Sequence, residues 1–308
     1  MRIILNYKLK SNLFSIAACS VGILLSGCSL MPQKPTELPN LPPQIITKKL
    51  PKIGLALGGG AARGFAHVGV IQVLEEAGIK PDYVVGTSAG SLVAAFYASG
   101  KTGAQLQVIS ENMEEAALTD WTLPFISRGM LRGEALARYV SGQVGGRKIE
   151  SFPLPLGIVA TDLHNGKGVL FQTGDTATAV RASSSVPGVF QPVKIGTREY
   201  VDGGLVSPVP VRYARQMGAE VVIAVDISAT PESNPALSTM DIMLQTFAIM
   251  SLSINSFELK EADVAVRPSL AGVSSADFAS KRRSIEAGRA AMIAALPLLR
   301  TAIAVKSQ

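Results

Sequence analysis

Residues 86–90 read Gly-Thr-Ser-Ala-Gly, and Ser88 at their centre has the surroundings of a nucleophile. The apolar pair Val84-Val85 precedes it and a helical pattern follows from Leu92, so the serine falls at a strand, a sharp turn and a helix. Gly86, Ala89 and Gly90 are the small neighbours that such a strained turn requires. The following helix directs its free N–H groups and the positive end of its dipole toward negative charge developing on a substrate. A Gly-x-Ser-x-Gly string alone also arises in ordinary turns, and it is the flanks that favour catalysis.

A second group, Gly58-Gly59-Gly60-Ala61-Ala62-Arg63-Gly64, follows the apolar run Ile53–Leu57. Glycines there allow backbone N–H groups to approach a substrate oxygen, as an oxyanion hole requires. A nucleotide loop is the competing reading. A Walker loop needs Gly-Lys-Ser or Gly-Lys-Thr, and a Gly-x-Gly-x-x-Gly fingerprint begun at Gly58 meets Arg63 where its third glycine belongs. Asp82 also stands before the second strand instead of at its far end, where a ribose-binding acid belongs.

The base is harder to find. The only histidines are His67 and His164. An α/β-hydrolase triad runs Ser, acid, His along the chain, and Ser88, Asp162, His164 satisfies that order formally. Its acid and histidine would lie two residues apart, unlike groups carried by separate loops. His67 lies on the first helix, where a structural histidine is expected. Asp202, in Tyr200-Val201-Asp202-Gly203-Gly204, follows a short strand and is freed by two glycines. By itself that tripeptide is an ordinary Asp-Gly turn. Beside the serine motif and the glycine loop it becomes the candidate base.

The elements that must position these residues alternate strand and helix, which argues for an α/β domain with a largely parallel sheet. Strands are expected at Ile53–Leu57, Tyr83–Val85, Leu156–Thr161, Val221–Asp226 and Val264–Val266, with 169–172 as a hairpin partner. A first helix should stop at Gly78 and a second, Leu92–Ser99, at Gly100. Residues 101–151 read as mostly helical, and 241–262 and 283–305 as long helices. The Met and Leu stripes of these segments are expected in the core. The group Trp121, Pro124, Phe125, Met130 and Leu131, beside Arg128 and Arg132, is the alternative bilayer contact.

The chain resembles the patatin-like phospholipases. The resemblance rests on the glycine loop ending in Arg63-Gly64, the motif at 86–90, the block 182–190 (Ala-Ser-Ser-Ser-Val-Pro-Gly-Val-Phe) and Asp202-Gly203-Gly204, in the family's order. Ala61 stands where some members have glycine, which leaves open which amides line the hole. The resemblance implies a three-layer α/β/α fold with a Ser88–Asp202 dyad that needs neither metal nor cofactor. It implies oxyanion donors among Gly58, Gly59, Gly60 and Ala89, with Arg63 steadying the loop or a lipid phosphate. The activity implied is hydrolysis of acyl esters in membrane phospholipid or lysophospholipid through an acyl-enzyme. A general carboxylesterase or thioesterase, or a catalytically silent lipid-binding lipoprotein, are the rival readings.

Composition frames the rest. At 308 residues and 47% hydrophobic the chain can bury one large core. Arg2, Lys8 and Lys10 precede an apolar run that ends in Leu25-Ser26-Gly27-Cys28, which resembles a bacterial lipobox. A signal peptide over residues 1–27 and an acylated Cys28 are therefore expected. Cleavage would remove those three cations and lower the formal charge from +6 to +3, too little to suggest nucleic acid. It would also remove Cys19, leaving Cys28 alone and excluding an internal disulfide or a cysteine metal site. Residues 28–51, with Pro32, Pro35, Pro39, Pro42, Pro43 and Pro51, read as an extended tether of roughly 3 Å per residue. The catalytic domain is expected over 52–308. Ser29 is not the Asp that marks inner-membrane retention, so the resemblance points to an outer-membrane lipoprotein facing the periplasm.

Overall fold

The computed structural model describes residues 49–120, 128–231, 236–274 and 276–307. Cys28, the signal segment, most of the tether and Trp121, Pro124 and Phe125 lie outside the described residues.

Five parallel strands form the body of the main sheet: β1 (Ile53–Leu57), β2 (Tyr83–Thr87), β4 (Leu156–Asp162), β9 (Val221–Val225) and β10 (Val264–Val266). Three antiparallel strands complete it, namely β5 (Gly168–Phe171), β7 (Val193–Ile195) and β8 (Arg198–Asp202). A separate pair joins β3 (Gly129–Leu131) to β6 (Gly188–Phe190). The helices are α1 (Ala66–Glu76), α2 (Ala89–Ala98), α3 (Gly103–Glu111), α4 (Glu134–Val144), α5 (Thr176–Ser183), α6 (Val211–Gln216), α7 (Thr239–Glu258) and α8 (Lys281–Lys306).

Strands buried on both faces must be apolar at every position, and β1 and β9 are. Alternate residues go to opposite sides. Leu55, Leu57, Ile223 and Val225 join the larger core under α1, α2 and α8. Ala56, Val222 and Ala224 join a smaller one beneath α6. The result is the expected three-layer α/β/α sandwich. Burying side chains such as Leu55, Ile158 and Ile223, none of them solvent-exposed, stabilises by about 1.5–3 kcal/mol each.

Several boundaries differ from the sequence reading. β2 runs on to Thr87, directly against the serine turn. A 3-10 turn over Ala61–Phe65 leads into α1. The stretch 101–151 contains β3 as well as helices. The largest correction concerns α7, whose only buried side chains are the polar Asn255 and Glu258. Its Met and Leu stripe is not core. A helix with apolar residues on every side gives no periodic sign of which side is inward.

β4 does most to build the site. One of its edges pairs with β5 at residues 158–161. The other pairs with β2 as far as Val159↔Thr87, and then with β8 from Ala160↔Asp202. Thr87 and Asp202 thus face consecutive residues of one strand. The residue after Thr87 is Ser88, so strand register alone brings the serine and the aspartate to one place.

Candidate active site

Ser88 sits between β2 and α2 with φ 52° and ψ −124°, a conformation that costs an L-residue about 1–3 kcal/mol. The surroundings hold it there. Its N–H donates to Ser183 Oγ at 2.9 Å, and Ser183 in turn donates to the Val159 carbonyl at 2.6 Å. Thr87 Oγ1 donates to the Ser207 carbonyl at 2.9 Å. The motif glycines are required by space: a Cβ on Gly86 would come within 2.4 Å of Gly90 O, and one on Gly90 within 2.1 Å of Leu57 O. Ala89, Gly90 and the first turn of α2 therefore lie directly on the end of β1.

Asp202 ends β8 and is 6% exposed. Its N–H donates to the Ser185 carbonyl, and its own carbonyl accepts from Thr161 Oγ1 at 2.8 Å. Oδ1 accepts from the Gly204 amide at 2.7 Å, whereas buried Oδ2 has no hydrogen-bond partner of good geometry. Burial pushes the carboxyl pKa up to about 6, opposed by the nearby Ser88 hydroxyl and the Gly204 amide. The Ser88 hydroxyl is close enough to act on the carboxyl without an aligned hydrogen bond, as in many catalytic pairs before substrate binds. Gly203 lets this turn approach β4, since a Cβ there would come within 2.2 Å of the Val159 carbonyl.

The glycine loop corrects part of the expected oxyanion set. Gly58 N–H donates to the Val225 carbonyl at 3.0 Å and Gly59 N–H to the Pro208 carbonyl at 2.9 Å, so neither amide is available to a substrate. Gly59 is there for clearance, because a Cβ would stand 3.1 Å from Ser88 Cβ. Of the expected donors, Gly60 and Ala89 keep amides that donate to no protein group among the described residues. Ala61 adopts φ 49°, a left-handed conformation that favours glycine.

Arg63 is 4% exposed. Burial lowers its pKa while Asp226 opposes that effect, and it lines the cavity shared by Gly60, Ser88 and Asp202. His67 is fully buried beneath the loop, Nε2 lying 2.8 Å from the Gly58 carbonyl, and burial pushes its pKa down to about 4. It is therefore a neutral donor that braces the loop. His164 is exposed, and Asp162 is occupied by the His164 backbone N–H at 2.9 Å and by Arg198 at 3.1 Å. No Ser88–Asp162–His164 relay is assembled.

Two cavities meet at Ser88. One, of about 270 Å³, is almost wholly apolar and is walled by residues such as Phe65, Leu92, Phe96, Leu106, Met113 and Phe278. The other, of about 210 Å³, holds Asp202, Gly60 and Arg63 and is closed by Leu244, Phe247 and Ala248 of α7. Among the described residues no three His, Cys, Asp or Glu side chains gather as a metal site. Sequence reasoning named Ser183 only within the block 182–190 and gave α7 to the core, assigning neither a part in the site. Ser183 lies in a run of three serines that only the fold distinguishes.

Residues 55–215 match the family model described as patatin-like phospholipase. An uncharacterised NTE family protein of Mycobacterium tuberculosis (strain ATCC 25618 / H37Rv) is 37% identical over 187 residues, 60% of this chain and 51% of its own. A second, of strain CDC 1551 / Oshkosh, is 30% identical over 271 residues, 79% of this chain and 46% of its own. Mouse patatin-like phospholipase domain-containing protein 6 is 34% identical over 191 residues, 59% of this chain and 14% of its own. The chain thus spans about half the length of its mycobacterial relatives. Among solved structures, full-length SpcU in complex with full-length ExoU from Pseudomonas aeruginosa covers 83% of this chain and 53% of the matched one, at 15% identity and TM-score 0.49. With its matched span covering more than half of the sequence, and with the motifs and layers described above, the chain belongs to the patatin-like phospholipase family, a family of lipid ester hydrolases.

Proposed function

We propose that this chain is a serine lipid acyl hydrolase, of phospholipase A or lysophospholipase type, working through a Ser88–Asp202 dyad. The observation that carries the reading is Asp202 Oδ2, buried without an aligned partner in the cavity that Ser88 also lines. Ser88 Oγ attacks the ester carbonyl carbon while its proton passes to Asp202. The amides of Gly60 and Ala89 hold the resulting oxyanion, and one such donor is worth about 2.7–4 kcal/mol of barrier. Collapse breaks the bond to the leaving alcohol, which takes the proton from Asp202. Water, deprotonated by the same carboxylate, then releases the fatty acid and restores Ser88.

The apolar cavity suits the acyl chain, and the cavity beneath α7 suits the departing lysolipid or glycerol moiety. Acylated Cys28 and the proline tether would hold the domain at a membrane, in the outer-membrane, periplasm-facing arrangement expected from Ser29.

A fluorophosphonate probe on wild type and Ser88→Ala, together with fatty-acid release from mixed phospholipids, tests the chemistry. Labelling and release should both vanish in the variant. In wild type, kcat/KM for a monomeric ester should rise with pH through about 6 as Asp202 ionises. Equal release by Ser88→Ala would refute the proposal. Membrane fractionation of Cys28→Ala, expected to lose its acyl-dependent attachment, tests the anchor.

A further inference from the structure

A surface helix of a soluble domain normally turns charge outward. α7 does not. From Ile242 to Phe257 the sequence Ile-Met-Leu-Gln-Thr-Phe-Ala-Ile-Met-Ser-Leu-Ser-Ile-Asn-Ser-Phe carries no charged residue over more than four turns. Its outward stripe includes Ile242 (56% exposed), Ile249 (53%) and Phe257 (68%), with Thr246, Ser253 and Ser256 between them. The opposite side, through Leu244, Phe247 and Ala248, closes the cavity that contains Ser88 and Asp202.

Polar bonds pin the helix to the domain at two levels: Gln245 Nε2 donates to the Pro231 carbonyl at 2.7 Å, and Asn255 and Glu258 hold the carboxyl end. Asn255 accepts from Val209 N–H at 3.2 Å and donates to Ser228 Oγ at 2.8 Å. Glu258 accepts from Ser207 Oγ at 3.1 Å and pairs with Arg212 at 3.2 Å. A helix fastened in this way lies along a surface and does not cross it. At that end the exposed Lys260 ammonium sits 5.3 Å from the centre of the exposed Phe257 ring. An uncharged apolar stripe that ends in an exposed aromatic ring with a cation beside it suits a lipid interface.

We propose that the outward face of α7 docks flat on a lipid surface, its inner face forming the wall past which a lipid passes from that surface to Ser88. The occupant is a bilayer and not a second copy of the chain, because the same helix walls the cavity proposed to take lipid. The role given to the inner face rests on the proposed hydrolase reading, whereas the docking itself is measured without catalysis.

The test uses the full chain with Ser88→Ala, so that vesicles stay intact, and adds Ile249→Trp. Quenching by brominated lipid is followed in vesicles of phosphatidylcholine with phosphatidylglycerol and of phosphatidylcholine alone. The parent retaining Trp121 supplies the background, and Val108→Trp, exposed on α3, is the control. Fluorescence of the Ile249→Trp chain should be quenched well beyond background, and more strongly with phosphatidylglycerol, while that of the Val108→Trp chain should not. Quenching of the Ile249→Trp chain no greater than that of the control overturns the proposal. So does an Ile249→Trp signal that changes with protein concentration in the absence of vesicles, which would identify a second copy as the occupant. In the active chain, Ile242→Lys with Ile249→Lys should lower hydrolysis of vesicle lipid at least tenfold and leave a monomeric ester unaffected. If quenching occurs but no variant hydrolyses lipid, the docking stands and the hydrolase reading falls.

Discussion

Replacing Asp202 by Asn should make the protein more stable at neutral and alkaline pH while hydrolysis disappears. The native carboxyl titrates at about 6 against 3.8 in an unfolded chain, because burial disfavours its ionised form. Below 3.8 both states hold the proton and the group is neutral in its effect. Between 3.8 and about 6 the unfolded chain releases its proton and the native one keeps it, so native stability falls as pH rises. At 1.36 kcal/mol per pH unit the loss reaches about 3 kcal/mol and is complete above about 6. Asparagine has the same shape and keeps an oxygen for the Gly204 amide, but it never ionises. Urea unfolding followed by circular dichroism, run on wild type and Asp202→Asn from about pH 4 to about pH 8, measures the difference. The variant's advantage should grow by about 2.5 kcal/mol across that range. An advantage constant with pH, or a wild type that gains on the variant as pH rises, would refute the picture of a buried, under-solvated base.

Ser183→Ala should cost about 1–3 kcal/mol by leaving the Ser88 N–H buried without its acceptor, and should lower kcat more than it raises KM; thermal unfolding and steady-state kinetics on a monomeric ester check both. Two glycines should respond in opposite directions. Gly90→Ala drives a Cβ to within 2.1 Å of the Leu57 carbonyl and should destabilise by about 3 kcal/mol or more. Gly142→Ala, in the interior of α4 with open space around it, should gain about 0.5–1 kcal/mol in the same unfolding assay.

The serine turn and β1 were legible because their causes are local. A nucleophile on a tight turn needs small neighbours, and a strand buried on both faces needs an unbroken apolar run. Asp202 was legible only in company, since an Asp-Gly turn has the same sequence whether or not a serine stands opposite. The oxyanion donors were half legible. Glycine marks a close approach, but which amides remain free depends on carbonyls at Val225 and Pro208, remote in the chain. Ser183 was hidden among identical neighbours, and α7 read as core because apolar residues on every side of a helix give no sign of which side is covered.

The shared edge of β4 also bears on when the protein becomes active. Ser88, the glycine loop and α2 are synthesised well before β8, and only the pairing of Ala160 with Asp202 brings the base to the serine. Long-range pairings of this kind form late, because the intervening chain must first be closed into a loop. A nascent chain that has not yet added β8 therefore carries Ser88 without Asp202, the base in the proposed reading. On the proposed hydrolase reading, activity would thus wait for β8 without any separate inhibitor.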